Sequence, residues 1–313
     1  MGRGRAWSRA MRLPERSLRS FLFVPGDSER KQAKGLVAGA DALILDLEDS
    51  VADVQLPAAR ARVAAMLRTH SNGAQVQLWV RVNALSSGLL LQDLVAVLAD
   101  QARPAGIVLP KVNRAAEIEE VAYYLAALEA ACGLTIGMTR LLVITTETAE
   151  GLLSLSQYPA QFRAMPRAVT QRVAALSWGS EDLETSLGTR GKFDAQGALT
   201  YPFQMARSLC QASAAALGVQ AIDTVYANLR DASGFERDLA DARRDGFTGK
   251  LVIHPDQVSA VNQTFTPSEA ERERASRIVA AFKAAPEAGV INLDGQMIDR
   301  PHLVQARRIL GGE

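Results

Sequence analysis

Apolar and polar positions along this chain follow two periods. Short apolar runs of strand length recur between longer stretches with a 3.6-residue amphipathic repeat, from residue 20 to about residue 255. The strand runs are SFLFVPG (20–26), ALILDLED (42–49), QLWVRVN (77–83), GIVLPKV (106–112), RLLVITTET (140–148), AALSWGSED (174–182), DTVYAN (223–228) and KLVIHP (250–255). Eight successive βα units predict an α/β fold of the TIM (β/α)8 barrel type. A doubly wound open sheet would carry a glycine-rich dinucleotide loop after its first strand, and PGDSERKQAK is not one.

The stretches between the strands carry helix signals. Asp27 or Ser28 can cap a first helix ending near Gly39, and 115–131 is rich in strong helix formers with an apolar face. Beyond the eighth strand, Thr-Pro-Ser-Glu opens a long amphipathic helix, GVINLDGQMID reads as a hairpin with an Asp-Gly turn, and a last helix begins near Pro301. The expected organisation is a disordered basic tail over 1–19, a catalytic barrel over 20–266, and an extra C-terminal helix-hairpin-helix segment over 267–313. That last segment exceeds what a barrel needs and reads as a cap or an arm reaching a neighbouring subunit.

Composition narrows the partners more than the fold. At 313 residues and 48% hydrophobic content, the chain can bury the core of one large barrel. Lys plus Arg total 35 against 34 acidic residues, so no nucleic-acid surface is expected. The first 19 residues hold six Arg and one Glu, read as a tail or as a start site upstream of Met11 rather than a transit peptide. No apolar run approaches the ~18 residues that span a bilayer. Cys132 and Cys210, the only cysteines, are too few for a disulfide framework and fit a reducing cytoplasm.

The chemistry concentrates at strand ends. Period-two alternation groups Ile44 with Asp46 and Glu48, Trp79 with Arg81 and Asn83, Thr145 with Glu147, and Trp178 with Ser180 and Asp182. Apolar residues early and polar residues late on one face are what a barrel interior with an active site at its top requires. Glu147 and Asp182 at neighbouring strand ends, roughly 5 Å apart at an effective dielectric of about 20, would repel by about 3 kcal/mol. A bound cation reverses that sign. Hard oxygen ligands favour Mg²⁺, with Mn²⁺ as its substitute. The competing reading makes the two carboxylates helix caps or rim ion-pair partners.

Arg81 on an inward face needs an anion: either Asp46, Glu48 or Asp49 as a structural partner, or a substrate carboxylate or enolate oxygen held by its fork. Lys111 adds positive potential or faces solvent. Asp46, Glu48 and Asp49 form an acidic cluster suited to orienting Arg81 and cation-bound water. His254 is a candidate acid or base, or a holder of its own loop. Arg30 and Lys34, one turn apart on the first helix, can grip a cofactor phosphate or simply be solvated.

SFLFVPGD, DLEDSV, WVRVN, LPKV, ETAEG, GSEDL, GFTGKLVIHPDQ and DGQMID stand in this order, and with them the chain resembles the citrate lyase β-subunit-like group of the HpcH/HpaI aldolase family, from residue 20 to about residue 310. The resemblance implies a homotrimeric or hexameric barrel that binds Mg²⁺ through Glu147 and Asp182, with Arg81 on the substrate. It implies carbon–carbon cleavage or formation in 3-hydroxyacyl-CoA thioesters such as malyl-, methylmalyl- or citramalyl-CoA, with a 2-oxoacid and an acyl-CoA as products. It further implies that Asp299, from a neighbouring subunit, serves in acid/base work and that Lys250, His254 and Gln257 lie where CoA adenine is received. The alternatives are a citrate lyase β subunit working with partner subunits and an acyl carrier protein, a thioester hydrolase, an aldolase on free 2-oxoacids, or a non-enzymatic binding protein. Glu147, Asp182 and Arg81 together argue against the last of these.

Overall fold

The computed structural model of the chain describes residues 17–70 and 76–311. Strand β1 is Ser20–Pro25, β2 Ala42–Asp46, β3 Gln77–Arg81, β4 Gly106–Leu109, β5 Arg140–Ile144, β6 Val173–Ser177, β7 Gln220–Asp223 and β8 Gly249–Val252. Helices α1 (Glu29–Leu36), α2 (Leu56–His70), α3 (Leu90–Leu98) and α4 (Ala115–Ala131) connect the first five strands. Three short helices, α5 (Ala149–Ser154), α6 (Tyr158–Ala164) and α7 (Arg167–Thr170), follow β5. Then come α8 (Ser180–Leu187), α9 (Tyr201–Leu217), α10 (Ala232–Arg244) and α11 (Val258–Phe265). All eight strands are parallel, and Ser20 pairing with Lys250 closes β8 onto β1, so the sheet is a closed barrel.

Two layers of apolar packing hold this barrel. Inside it, Phe21, Ile44, Trp79, Val108, Leu142 and Ile144 meet on the inward strand faces. Trp79 fills the space beside β4, where a Cβ on Gly106 would come within 2.2 Å of its ring, so that strand has to carry glycine there. A larger layer, with Leu43, Leu45, Val80, Leu141, Val143 and Trp178, lies between strands and helices. Strands buried on both faces explain why the sequence reads as continuous apolar runs.

Every strand is shorter than its apolar run, and this corrects the alternation argument on two of them. On β2 and β3 the inward residues are Ile44 and Trp79, so Asp46 and Arg81 do share the interior. On β5 the inward pair is Leu142 and Ile144, which places Thr145 and Glu147 off that face. On β6 Ala175 points in while Trp178 packs in the outer layer, and Asp182 sits in the first turn of α8. The seventh strand is also earlier than the expected 223–228. Polar Gln220 disguises its start, because this buried amide is satisfied by the backbone of Leu18 and by Thr248.

Leu18 is buried and Arg19 grips Asp41 through Nε and Nη2, so the expected tail over 1–19 does not extend to these residues. Its first sixteen residues lie outside the described ones. At the other end, a Ser268–Glu271 capping box starts α12 (Glu269–Ala284). Antiparallel β9 (Val290–Leu293) and β10 (Gln296–Asp299) turn at Asp294 and Gly295, with φ of 55° and 78°, as a tight Asp-Gly hairpin requires. With α13 (Arg300–Ile309) these elements enclose a small core of their own around Ile278, Phe282, Ile298 and Leu303. Among the described residues no helix is long and apolar enough to cross a membrane.

Candidate active site

Asp46 and Arg81 are register partners at the ends of β2 and β3. Arg81 donates from Nε to Asp46 Oδ1 at 2.7 Å and from Nη2 to Asp46 Oδ2 at 2.8 Å, while Nη1 lies 2.8 Å from Glu48 Oε2 and 3.4 Å from Asp49 Oδ2. The Phe23 ring supports the guanidinium at 4.8 Å. Burial pushes the Asp46 carboxyl up, but the two bonds from Arg81, with Glu48 and Ser50 N–H groups, hold it on balance below the usual carboxylate range. The fork expected to clamp substrate is therefore occupied by Asp46. Beyond that fork Nη2 keeps a second hydrogen on a fixed charge.

Lys111, just beyond β4, joins this cluster to the next strands. Its ammonium bonds Glu48 and Asp49 and lies 3.7 Å from Asp182 Oδ1, so it is neither a solvated lysine nor a free substrate contact. Its backbone adopts φ +52°, which turns its N–H onto Glu147 Oε2.

Glu147 sits one residue before Thr148, whose hydroxyl caps α5 by accepting from Gly151 N–H at 2.9 Å. It is buried, and burial first, then the charges of Glu48 and Asp182, push its carboxyl up to about 8. Gly179, in the turn between β6 and α8, leaves room for it: a Cβ there would lie 2.3 Å from Glu147 Cγ. Gly179→Ala is expected to destabilise the protein by about 1–3 kcal/mol through overpacking. A denaturant midpoint equal to that of the parent would contradict this contact.

Glu147, Asp182, Asp46, Asp49 and Arg81 line one cavity of about 920 Å³ at the carboxyl ends of the strands, and Arg30, Lys34 and His254 line it too. Among the described residues, no group of three or more His, Cys, Asp or Glu is arranged to hold a metal ion. The candidate cation site is accordingly a pair of carboxylates, leaving most of the coordination sphere to water and ligand. The residues fit such an ion. Glu147 is buried beside the charges of Glu48 and Asp182, among the described residues it accepts one hydrogen bond, from Lys111 N–H, and the carboxylates near it are hard oxygen donors.

The remaining expected contacts separate. Lys250 is fully buried outside the barrel, with Nζ 2.7 Å from Asp223 and 2.6 Å from Asp238, so it cannot reach a cofactor. Gln257 is buried as well; its amide accepts from Ile253 and His254 N–H and donates to the Tyr226 carbonyl. His254 Nδ1 accepts from Asp256 N–H, which makes it a cap of its own loop that still faces the cavity. Asp299 caps α13 and pairs with His302 at 2.5 Å, and it is not among the cavity's lining residues in this chain. Two supports escaped sequence reasoning. Buried Asp93 accepts from Asn83, which donates to the Leu47 carbonyl and so ties the ends of β2 and β3, and Trp178 donates to Asp223. A lysine inside the apolar run of β8 was the available signal for the second, since it demands buried carboxylates nearby.

Comparison with known proteins gives the chain a family. The HpcH/HpaI aldolase/citrate lyase family matches residues 19–255. The mitochondrial citramalyl-CoA lyase of Rattus norvegicus is 34% identical over 298 residues, covering 93% of this chain and 85% of the relative. A (3S)-malyl-CoA thioesterase of Cereibacter sphaeroides is 34% identical over 294 residues, covering 93% of each. Among solved structures, CitE from Mycobacterium tuberculosis in complex with magnesium, acetoacetate and coenzyme A superposes with a TM-score of 0.69 at 29% identity, covering 95% of this chain and 98% of that one. A family match across most of its length and relatives at this identity and coverage establish that the chain belongs to the HpcH/HpaI aldolase/citrate lyase family.

Proposed function

We propose that this protein is a Mg²⁺-dependent carbon–carbon lyase acting on a short 3-hydroxyacyl-CoA thioester of the malyl-, methylmalyl- or citramalyl-CoA type. The observation that carries the reading is the buried Glu147 carboxyl, which lines one cavity together with Asp182, Arg81, Arg30 and Lys34. Glu147 and Asp182 would hold the cation, which supplies a Lewis acid for the carbonyl of the 2-oxoacid product.

The protein's own groups supply the rest. Cleavage breaks the bond between the thioester's α-carbon and the hydroxyl-bearing carbon; the hydroxyl loses its proton, and the α-carbon gains one. The Nη2 hydrogen that Arg81 retains stabilises charge on the thioester oxygen as that bond breaks. Arg30 and Lys34 on α1 suit the phosphates of CoA. Asp299 would exchange the α-carbon proton from a neighbouring subunit, which is consistent with its place in a segment that has its own core and exposes Val290, Met297 and Val304. A homotrimer working in the cytoplasm, where Cys132 and Cys210 stay reduced, is part of the same proposal.

The test is turnover of malyl-, methylmalyl-, citramalyl- and citryl-CoA by the purified protein with Mg²⁺, with detection of the released 2-oxoacid. Cleavage of at least one CoA thioester is expected, and it should vanish on chelation. Equal similarity to a malyl-CoA thioesterase favours hydrolysis as the second reading, which release of free thiol without a 2-oxoacid would identify. Turnover only of a citryl thioester on an acyl carrier protein would instead make this a citrate lyase β subunit.

A further inference from the structure

A cluster of five charged side chains lies outside the barrel, beneath the β6–α8 turn. Asp223 is fully buried and receives Lys250 Nζ at 2.7 Å and Arg207 Nε at 3.4 Å. Lys250, equally buried, also pairs with Asp238 of α10 at 2.6 Å, and Arg207 reaches Asp245 at 2.6 Å. Its one uncharged member is Trp178, whose indole Nε1 donates to Asp223 Oδ1 at 2.7 Å. Trp178 also lines the cavity that holds Glu147 and Asp182.

Burying so many charges is a poor route to stability, since well-packed apolar side chains do as well or better. Its effect here is directional. Trp178 is followed by Gly179, the residue packed against Glu147, and Asp182 is four residues on in the first turn of α8. The turn that carries Asp182 has no side-chain cap at its helix start, and the indole hydrogen bond fixes its orientation on the layer below, beside the apolar packing of Trp178 and Leu183. We propose that Lys250 and Asp223 are positioning residues: they fix the Trp178 indole and, through it, the relative placement of Glu147 and Asp182 for a divalent cation. This rests on the cation reading of that pair.

The experiment is Mn²⁺ titration of the full-length protein followed by electron paramagnetic resonance, with thermal unfolding and steady-state kinetics alongside. Trp178→Phe removes the donor together with part of the buried indole's volume, and thermal unfolding reports the cost of the latter. The substitution is expected to raise the Mn²⁺ Kd by about 10–100-fold, the usual effect of removing a group that orients a metal ligand. kcat should fall with it while KM for the thioester stays close to that of the parent. The triple variant Asp223→Leu/Lys250→Met/Asp238→Leu removes buried charges together, so it should fold and yet weaken Mn²⁺ equally. Folded variants that bind Mn²⁺ like the parent, whatever their Tm, overturn the inference. A parent protein that binds no Mn²⁺ overturns the cation reading, and this inference falls with it.

Discussion

Glu147→Gln is expected to lower kcat for thioester cleavage by about a thousandfold and to abolish Mg²⁺ binding. A Lewis acid contributes several kcal/mol to charge stabilisation in the transition state, and about 4 kcal/mol corresponds to three powers of ten in rate. The parent protein should also show a specific pH dependence. In the cation-free state the Glu147 carboxyl is raised from 4.5 to about 8, chiefly by burial, so the folded chain holds a proton that the unfolded chain releases. Stability of the cation-free protein therefore falls as pH rises from 4.5 to about 8 and is flat beyond. Mg²⁺ must displace the same proton, so its affinity should climb about tenfold per pH unit below that point and then level off. Calorimetry in buffers of different ionisation enthalpy measures the released proton directly. An affinity independent of pH, or unchanged in Glu147→Gln, would remove Glu147 from the cation site.

The second large effect belongs to Arg81. Arg81→Met is expected to destabilise the fold by about 3–5 kcal/mol near neutral pH, because it leaves buried Asp46 and Glu48 without their shared cation. Here the sign is opposite to that of Glu147. Arg81 holds Asp46 below its ordinary value of 3.8, so this stabilisation is present above that value and is lost as pH falls through the depressed one. In the variant, burial acts on Asp46 against only the Glu48 and Ser50 N–H bonds and raises it, so protonation relieves the damage. The gap between parent and variant in chemical denaturation should therefore narrow as pH is lowered toward 4, and a constant gap would mean lost packing on Phe23 rather than lost charge. Activity should not return at low pH, since the group facing the substrate is gone.

These two residues also show where sequence reading reached and where it stopped. Asp46 and Arg81 are the last residues of five-residue strands, so period two carries them correctly to the interior. Glu147 and Asp182 are found in the same cavity for another reason. Their strands end at Ile144 and Ser177, and the chain has already turned toward helices capped by Thr148 and begun after Gly179. Proximity to a strand end was legible; the strand face was not, because alternation ceases with the last ladder bond. Lys250 was misread because its partners, Asp223 and Asp238, come from elements 27 and 12 residues earlier that only the β7–β8 register and the packing of α10 bring onto it. The C-terminal hairpin was legible throughout, since an Asp-Gly pair between alternating runs permits one kind of turn.

Lys111 imposes a limit on how far this barrel can be improved. Its φ of +52° belongs to a region that residues with a Cβ enter at a cost of about 1–2 kcal/mol and glycine enters freely. Glycine would keep the N–H on Glu147 but delete the ammonium that links Glu48, Asp49 and Asp182. A backbone that aims a donor and a side chain that joins three carboxylates make opposing demands on one position, and the compromise favours chemistry. Selection for heat resistance alone would thus be drawn to a replacement that loosens the acidic cluster. The stability this position gives up is a reserve that laboratory evolution can reach only by eroding activity.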